Sequence, residues 1–264
     1  MDKIYLDDHN YINIKLQGDS SNPTIIFSNS LGSDLSMWDP QAKFFENDYQ
    51  IVRYDKRGHG DSSPFEGSYS FDMLENDVIL IMDQLKIDKA HFIGLSMGGM
   101  TSIGLALKHS HRFNKFVCCA ARADMPPPAI EAWDQRINVV KEKGTLGVVD
   151  GSLERWFSED FRLDNKNNAI IEKASKMIKK TSTNGYIGSC EAIKGLDYLK
   201  EIAKIQNKIL FISGETDVGA PALAMEEMHH LTLNSQYKCI PKVAHVFNLE
   251  NPEATNNIIQ EFLS

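Results

Sequence analysis

The pentapeptide Gly94-Leu95-Ser96-Met97-Gly98 sets a serine between two glycines. A serine hydroxyl is a weak nucleophile alone; it needs a base, and the base needs an acid to orient it. Two downstream loops offer those partners. Gly214-Glu215-Thr216-Asp217-Val218-Gly219-Ala220-Pro221 carries two acids, and Val243-Ala244-His245-Val246-Phe247-Asn248 carries a histidine. Serine, acid and histidine in that chain order form one of the recurring arrangements for nucleophilic acyl transfer. Asp217 is favoured as the acid because it leads into the Gly219-Ala220-Pro221 turn, with Glu215 its nearest rival. Among eight histidines, His245 is the candidate base and His59 its serious rival, although the glycine-rich loop around His59 reads as structural and precedes Ser96. His91 reads as packed within a strand, and the other five as solvated or incidental in turns and helices. Attack on a carbonyl creates an oxyanion that needs two backbone donors. One candidate is the N–H of Met97, next to the nucleophile; the other is the N–H of Leu31, in the loop after the strand around Ile26.

These residues can act together only if the chain delivers them to one edge of one sheet. The apolar run 90–93 leads into the serine and the helix-forming run 100–107 leads out of it. That is a strand, a tight turn and a helix, in which flanking glycines avoid a collision and the helix N-terminus faces the developing negative charge. Further strands are expected at 4–6, 11–16, 24–28, 49–54, 113–119, 208–213 and 236–240, several of them continuous apolar runs of the kind buried on both faces of a parallel sheet. Helices are expected from about Met37, over 71–85, after Pro221 and over 252–263. The alternation predicts an α/β fold: a mostly parallel sheet flanked by helices. Both triad loops then follow strands at their carboxyl ends, where open parallel sheets bind ligands. The alternation breaks at Met125-Pro126-Pro127-Pro128. From there to about Leu199 only helices are expected, at 130–142, 152–157, 167–180 and 183–194. The chain therefore divides into a core of residues 1–124 and 200–264 and an inserted helical cap of 125–199.

At 264 residues the chain suits one domain with an insertion and is long enough to bury a sizeable core. Its formal net charge of -8 argues against nucleic acid or an anionic membrane as partner. Cys118, Cys119, Cys190 and Cys239 form no C-x-x-C pair and read as buried, reduced thiols. The first residues lack a basic stretch followed by an apolar one, and no run is apolar for long enough to span a bilayer; no signal peptide and a cytoplasmic location are expected. No metal is expected, since H-E-x-x-H spacing and carboxylate triplets are missing. Nor is a dinucleotide cofactor, since Ser96 falls where close approach to a pyrophosphate demands glycine.

The chain resembles the α/β-hydrolase family over nearly its whole length, and within it is similar to the 3-oxoadipate enol-lactonases. The closer likeness rests on Phe27-Ser28-Asn29-Ser30-Leu31-Gly32, on Arg53-Tyr54-Asp55-Lys56-Arg57-Gly58-His59-Gly60, on residues 94–100, and on Trp133-Asp134-Gln135-Arg136-Ile137 with Leu153-Glu154-Arg155-Trp156-Phe157. Many members of the wider family carry His-Gly where this chain has Asn29-Ser30; the closer likeness departs at Ala121-Arg122-Ala123-Asp124 and at Phe247, positions that could reshape the pocket. The resemblance implies a serine hydrolase that opens a carboxylate-bearing enol-lactone through an acyl-enzyme, without a cofactor. It also implies a cationic partner for the substrate carboxylate, for which Arg122 and Arg136 are candidates, and a pocket wall at Trp133. The expected partner is a small lactone or ester, and a homo-oligomer is compatible with the sequence. Competing readings are a carboxylesterase or perhydrolase of the same fold, a carbon–carbon bond hydrolase, and a ligand receptor that turns over slowly.

Overall fold

A computed structural model describes residues 2–264. Its centre is an eight-stranded sheet built from β1 (Lys3–Tyr5), β2 (Tyr11–Gln17), β3 (Thr24–Ser28), β4 (Gln50–Tyr54), β5 (Ala90–Leu95), β6 (Phe113–Cys119), β7 (Lys208–Gly214) and β8 (Ser235–Ile240). The spatial order is β1-β2-β4-β3-β5-β6-β7-β8. The first two pairings are antiparallel and the rest parallel. Strands β3 and β5 are buried along their whole length, as their unbroken apolar runs require when helices cover both faces. At the far edge, β8 alternates between exposed and partly buried residues and has solvent on one face. That edge position corrects the expectation for Cys239, which is exposed, while Cys118, Cys119 and Cys190 are buried.

The chain passes from β3 to β4 on one side and then to β5 on the other. Connections thus diverge between β3 and β5, the place where a crevice opens at the carboxyl edge of such sheets. The helices are α1 (Asp39–Phe45), α2 (Phe71–Gln84), α3 (Met97–Lys108), α4 (Pro127–Lys143), α5 (Val149–Trp156), α6 (Glu159–Leu163), α7 (Asn168–Lys180), α8 (Thr183–Lys194), α9 (Ala222–Leu231), α10 (Phe247–Glu250) and α11 (Pro252–Leu263). Proline opens α1, α4 and α11 within their first turns, where its missing N–H costs nothing. Ser70, Ser158 and Ser182 cap α2, α6 and α8 with their hydroxyls.

Helices α4 to α8 fill the connection between β6 and β7, and an isolated bridge between Asp124 and Asp197 joins its two ends. This helical segment is fastened to the β4–α2 loop. Gly58, at φ 73°, lies so close to Gly185 that a Cβ on Gly58 would stand 2.3 Å from the Gly185 Cα. Both the N–H and the hydroxyl of Ser182 donate to the Gly58 carbonyl, at 2.9 and 3.0 Å. In the same loop Arg57 binds Asp77 of α2 through two nitrogens, at 2.8 and 2.5 Å. Among the described residues no helix is long and apolar enough to cross a membrane, and no cluster of His, Cys, Asp or Glu is placed to hold a metal ion.

The Gly58–Gly185 contact makes a signed prediction. Alanine in place of glycine within a helix ordinarily gains about 1 kcal/mol. At Gly185 a Cβ would stand 2.5 Å from the Gly58 Cα and carbonyl oxygen, so Gly185→Ala should instead lose roughly 2 kcal/mol. Urea unfolding of the variant beside wild type measures the sign.

Candidate active site

The nucleophile candidate sits where backbone meets backbone. Ser96 ends the run from β5 and adopts φ 57° and ψ -114°, a conformation that costs an L-residue roughly 1–3 kcal/mol. The flanking glycines permit it. A Cβ on Gly94 would stand 2.0 Å from the Gly98 carbonyl oxygen, and one on Gly98 would stand 2.2 Å from the Ser28 carbonyl oxygen. Helix α3 therefore begins pressed against β3 and β5, with its N-terminus directed at the crevice between them. The Ser96 N–H donates to the Cys119 carbonyl at 2.8 Å, which locks the turn to β6.

Asp217 and His245 meet at the same edge. His245 Nδ1 lies 2.7 Å from Asp217 Oδ2, and the Asp217 side chain is fully buried. The other carboxylate oxygen accepts the N–H groups of Gly219 and Ala220, at 2.7 and 3.1 Å. The turn that favoured Asp217 on sequence grounds thus holds the carboxylate by its far oxygen. Glu215, the rival, is exposed and accepts the Lys242 N–H at 2.7 Å instead. His245 is held on both sides: the Ala244 N–H donates to Glu250 at 3.0 Å and the Val246 N–H to the Trp156 carbonyl of α5 at 2.9 Å. No hydrogen bond joins Ser96 to His245 among the described residues. Such contacts commonly tighten only when substrate is bound.

His59, the rival base, is buried away from the cavity that holds Ser96. Its Nδ1 lies 3.1 Å from the Arg57 carbonyl, while Nε2 has no partner. Burial pushes its pKa down to about 4, and burial does the same for His91. Both are neutral packing groups.

The amides around the nucleophile sort themselves by what they already bind. The Ser96 N–H is taken by Cys119, and the Gly98 N–H by the Asn29 carbonyl at 3.1 Å. The Ser30 N–H points at the Met37 sulfur at 3.3 Å. Between these, the N–H groups of Met97 and Leu31 have no acceptor among the described residues, and Leu31 lines the cavity together with Ser96. These are the two amides that the sequence singles out as candidate donors. They depend on backbone alone, so the Asn29-Ser30 departure leaves them in place.

The cavity measures about 230 Å³, suited to a small molecule. Ser30, Leu31, Ser96, Gly219, Ala220 and His245 form its sheet side, with Arg122 at the end of β6. Met125, Trp133, Arg136, Ser152, Arg155, Trp156 and Tyr186 form the side contributed by the helical segment. All three residues expected to touch substrate, Arg122, Trp133 and Arg136, therefore face one space. Their states differ. Arg122 is engaged with Asp124, Nη2 to Oδ1 at 3.7 Å. The Arg136 guanidinium lies 4.2 Å from the centre of the Trp133 ring. Arg155 was not among the expected site residues. Its Nη2 donates to Ser152 at 3.1 Å, and burial together with the charge of Arg136 pushes its pKa down to about 10, so it stays cationic near neutrality. Neither Arg136 nor Arg155 has an acidic partner among the described residues. The clue in the sequence was an arginine flanked by Leu153, Trp156 and Phe157 on an inward-facing helix. Phe247, which could have reshaped the pocket, is fully buried at the start of α10 and does not line it.

The family described as alpha/beta hydrolase fold matches residues 23–252. The chain is 34% identical to 3-oxoadipate enol-lactonase 2 of Acinetobacter baylyi over 253 residues, covering 94% of this chain and 91% of that protein. It is 32% identical to 3-oxoadipate enol-lactonase 1 of the same organism, covering 96% and 92%. The crystal structure of the enol-lactonase from Burkholderia xenovorans LB400 superposes with a TM-score of 0.92 at 32% identity, covering 97% of each chain.

Two stability measurements probe this geometry. Glycine at position 96 relieves the backbone strain, so Ser96→Gly should gain about 1 kcal/mol or more; Ser96→Ala, which keeps the Cβ, should not. In the second, the folded-state pKa values of His59 and His91 lie below the ordinary 6.5. The unfolded chain then binds protons that the folded one refuses. Their stabilising effect is complete above pH 6.5 and is lost as pH falls toward 4, at up to about 1.4 kcal/mol per pH unit for each histidine. The urea midpoint should drop over that window, and less steeply in His59→Gln.

Proposed function

The chain belongs to the α/β-hydrolase family, and from that membership we propose that it hydrolyses a carboxylate-bearing enol-lactone, converting 3-oxoadipate enol-lactone to 3-oxoadipate in the cytoplasm. The observation that carries this reading is one cavity in which Ser96 and His245 face two arginines without acidic partners, Arg136 and Arg155. An acyl substrate with a free carboxylate matches both halves of that cavity. The identity to the enol-lactonases over more than nine-tenths of the chain supports the same choice.

In this mechanism Ser96 Oγ attacks the lactone carbonyl as His245 Nε2 takes its proton. Asp217 holds Nδ1–H toward itself, fixing the tautomer that leaves Nε2 free, and stabilises the imidazolium. The N–H groups of Leu31 and Met97 receive the oxyanion. Collapse of the tetrahedral intermediate breaks the ring C–O bond and expels an enolate, which takes the proton held by the His245 imidazolium and becomes the ketone, leaving His245 neutral. Water, deprotonated by His245, then attacks the acyl-enzyme, and Ser96 leaves with the proton that His245 returns. Arg136 and Arg155 bind the substrate carboxylate by charge-assisted hydrogen bonds, with Arg136 braced on Trp133. Arg122, already engaged with Asp124, contributes a weaker field. Residues 125–199 act as the cap that closes this cavity over the core.

Turnover of 3-oxoadipate enol-lactone by the purified protein tests the reading. Ser96→Ala should lose on the order of 10⁴-fold in kcat. Arg136→Ala and Arg155→Ala should each raise KM for the lactone by about tenfold or more, the loss expected of a hydrogen bond to a charged group, while sparing a neutral p-nitrophenyl ester. Ser96-dependent cleavage of neutral esters without lactone turnover would reject this substrate and favour a carboxylesterase.

A further inference from the structure

Lys56 stands in the β4–α2 loop and is 2% exposed. Its ammonium donates to the main-chain carbonyl of Asn29. That carbonyl already accepts the Gly98 N–H at 3.1 Å. Asn29 precedes Leu31 by two residues, and Gly98 directly follows Met97. A single carbonyl oxygen therefore joins the two peptide segments that bear the candidate oxyanion donors, and Lys56 holds that oxygen from behind. The Asn29 side chain adds a second fastening, Nδ2 to the Tyr54 carbonyl at 2.8 Å.

A lysine in this place is poorly explained by stability. Burial drives its pKa down to about 7, against the opposing pull of Asp55. Among the described residues no carboxylate forms an ion pair with it. Asp55 is occupied by the Leu35 N–H at 2.6 Å, by Asn13 at 2.8 Å and by the Asp61 N–H at 2.9 Å. An apolar side chain of similar size would fill the volume without that desolvation penalty, and the Asn29 carbonyl would keep its bond to Gly98. What the apolar side chain could not supply is a hydrogen bond to the carbonyl that links the two donor segments.

We propose that Lys56 is a positioning residue for the oxyanion hole: by holding the Asn29 carbonyl it fixes the N–H of Leu31 relative to the N–H of Met97. The inference rests on the serine-hydrolase reading of the site. It acts in the transition state and leaves ground-state binding alone, since donors placed for an oxyanion matter most once the charge has formed.

The test is Lys56→Met, assayed on whichever lactone or ester the wild type turns over. Thermal stability should be unchanged or higher. The kcat should fall about 10- to 100-fold, somewhat less than the loss of a whole donor, with KM within twofold. Affinity for a boronic acid that forms a tetrahedral adduct on Ser96 should fall by the same factor as kcat/KM, while affinity for a non-covalent product analogue should hold. Lys56→Gln, which keeps a neutral donor, should fall between the two and serves if the methionine variant does not fold. Unchanged kcat and boronate affinity in the folded variant would overturn the inference, whatever happens to stability. If the wild type shows Ser96-dependent turnover and the Lys56 variants match it, the lysine inference alone fails. If the wild type shows no Ser96-dependent turnover of any lactone or ester, the hydrolase reading fails and takes this inference with it.

Discussion

The structure depends on one steric constraint: three pieces of backbone share a space that no side chain can enter. The carbonyl of Gly98 faces Gly94, the carbonyl of Ser28 faces Gly98, and Ser96 is bent to φ 57° between them. The register of β3 against β5, Ser28 opposite Gly94, is what brings the three together. Once they are in place, much else follows without further choice. Helix α3 must start at Met97, the Met97 amide is left without an acceptor, and the Leu31 loop must pass beside it because β3 and β5 are neighbours. The strain at Ser96 persists because β3, β5, β6 and α3 all hold it at once.

The acid and the histidine are held by a different principle. Neither residue is itself bent in this way, although Lys242 opens the histidine loop at φ 60°, and both are tied down by hydrogen bonds that have few alternatives. Both oxygens of Asp217 are engaged, one by two amides of its own turn and one by the imidazole. The histidine loop is fixed by Glu250 and by the Trp156 carbonyl. The second of these belongs to α5, so the helical segment that walls the cavity also steadies the residue after His245. The wall of the cavity and the loop of His245 are thereby joined through a main-chain contact, although they come from separate stretches of the sequence.

Much of this was legible in the sequence, and for identifiable reasons. Strands buried on both faces, such as Thr24–Ser28, write short continuous runs whose length and β-branched and aromatic content separate them from buried helix. Glycines flanking a serine after such a strand leave little choice of turn. The Asp217 and His245 loops were legible because sheet polarity assigns them an edge before any contact is known. What was hidden depends on tertiary context. The short helices Glu159–Leu163 and Phe247–Glu250 have too few residues to express a period. Cys239 belongs to a residue type that is usually buried and is exposed because β8 is an edge strand. Arg155 and Lys56 are cations at buried or half-buried positions, and charge in a sequence gives no sign of burial. Each owes its place to a partner distant in the chain or to a cavity that exists only after folding.

The notch between Gly58 and Gly185 bears on how such a protein can diverge. A lineage can alter Trp133, Arg136 and Arg155, which line the cavity, without disturbing the turn at Ser96. It can also replace whole helices between β6 and β7, since the sheet closes without them. Any replacement must still present a bare backbone to Gly58 and a hydroxyl or amide to its carbonyl. The inheritance that limits such change therefore lies in the docking point of the helical segment, which abuts the cavity: Tyr186, the residue after Gly185, lines it.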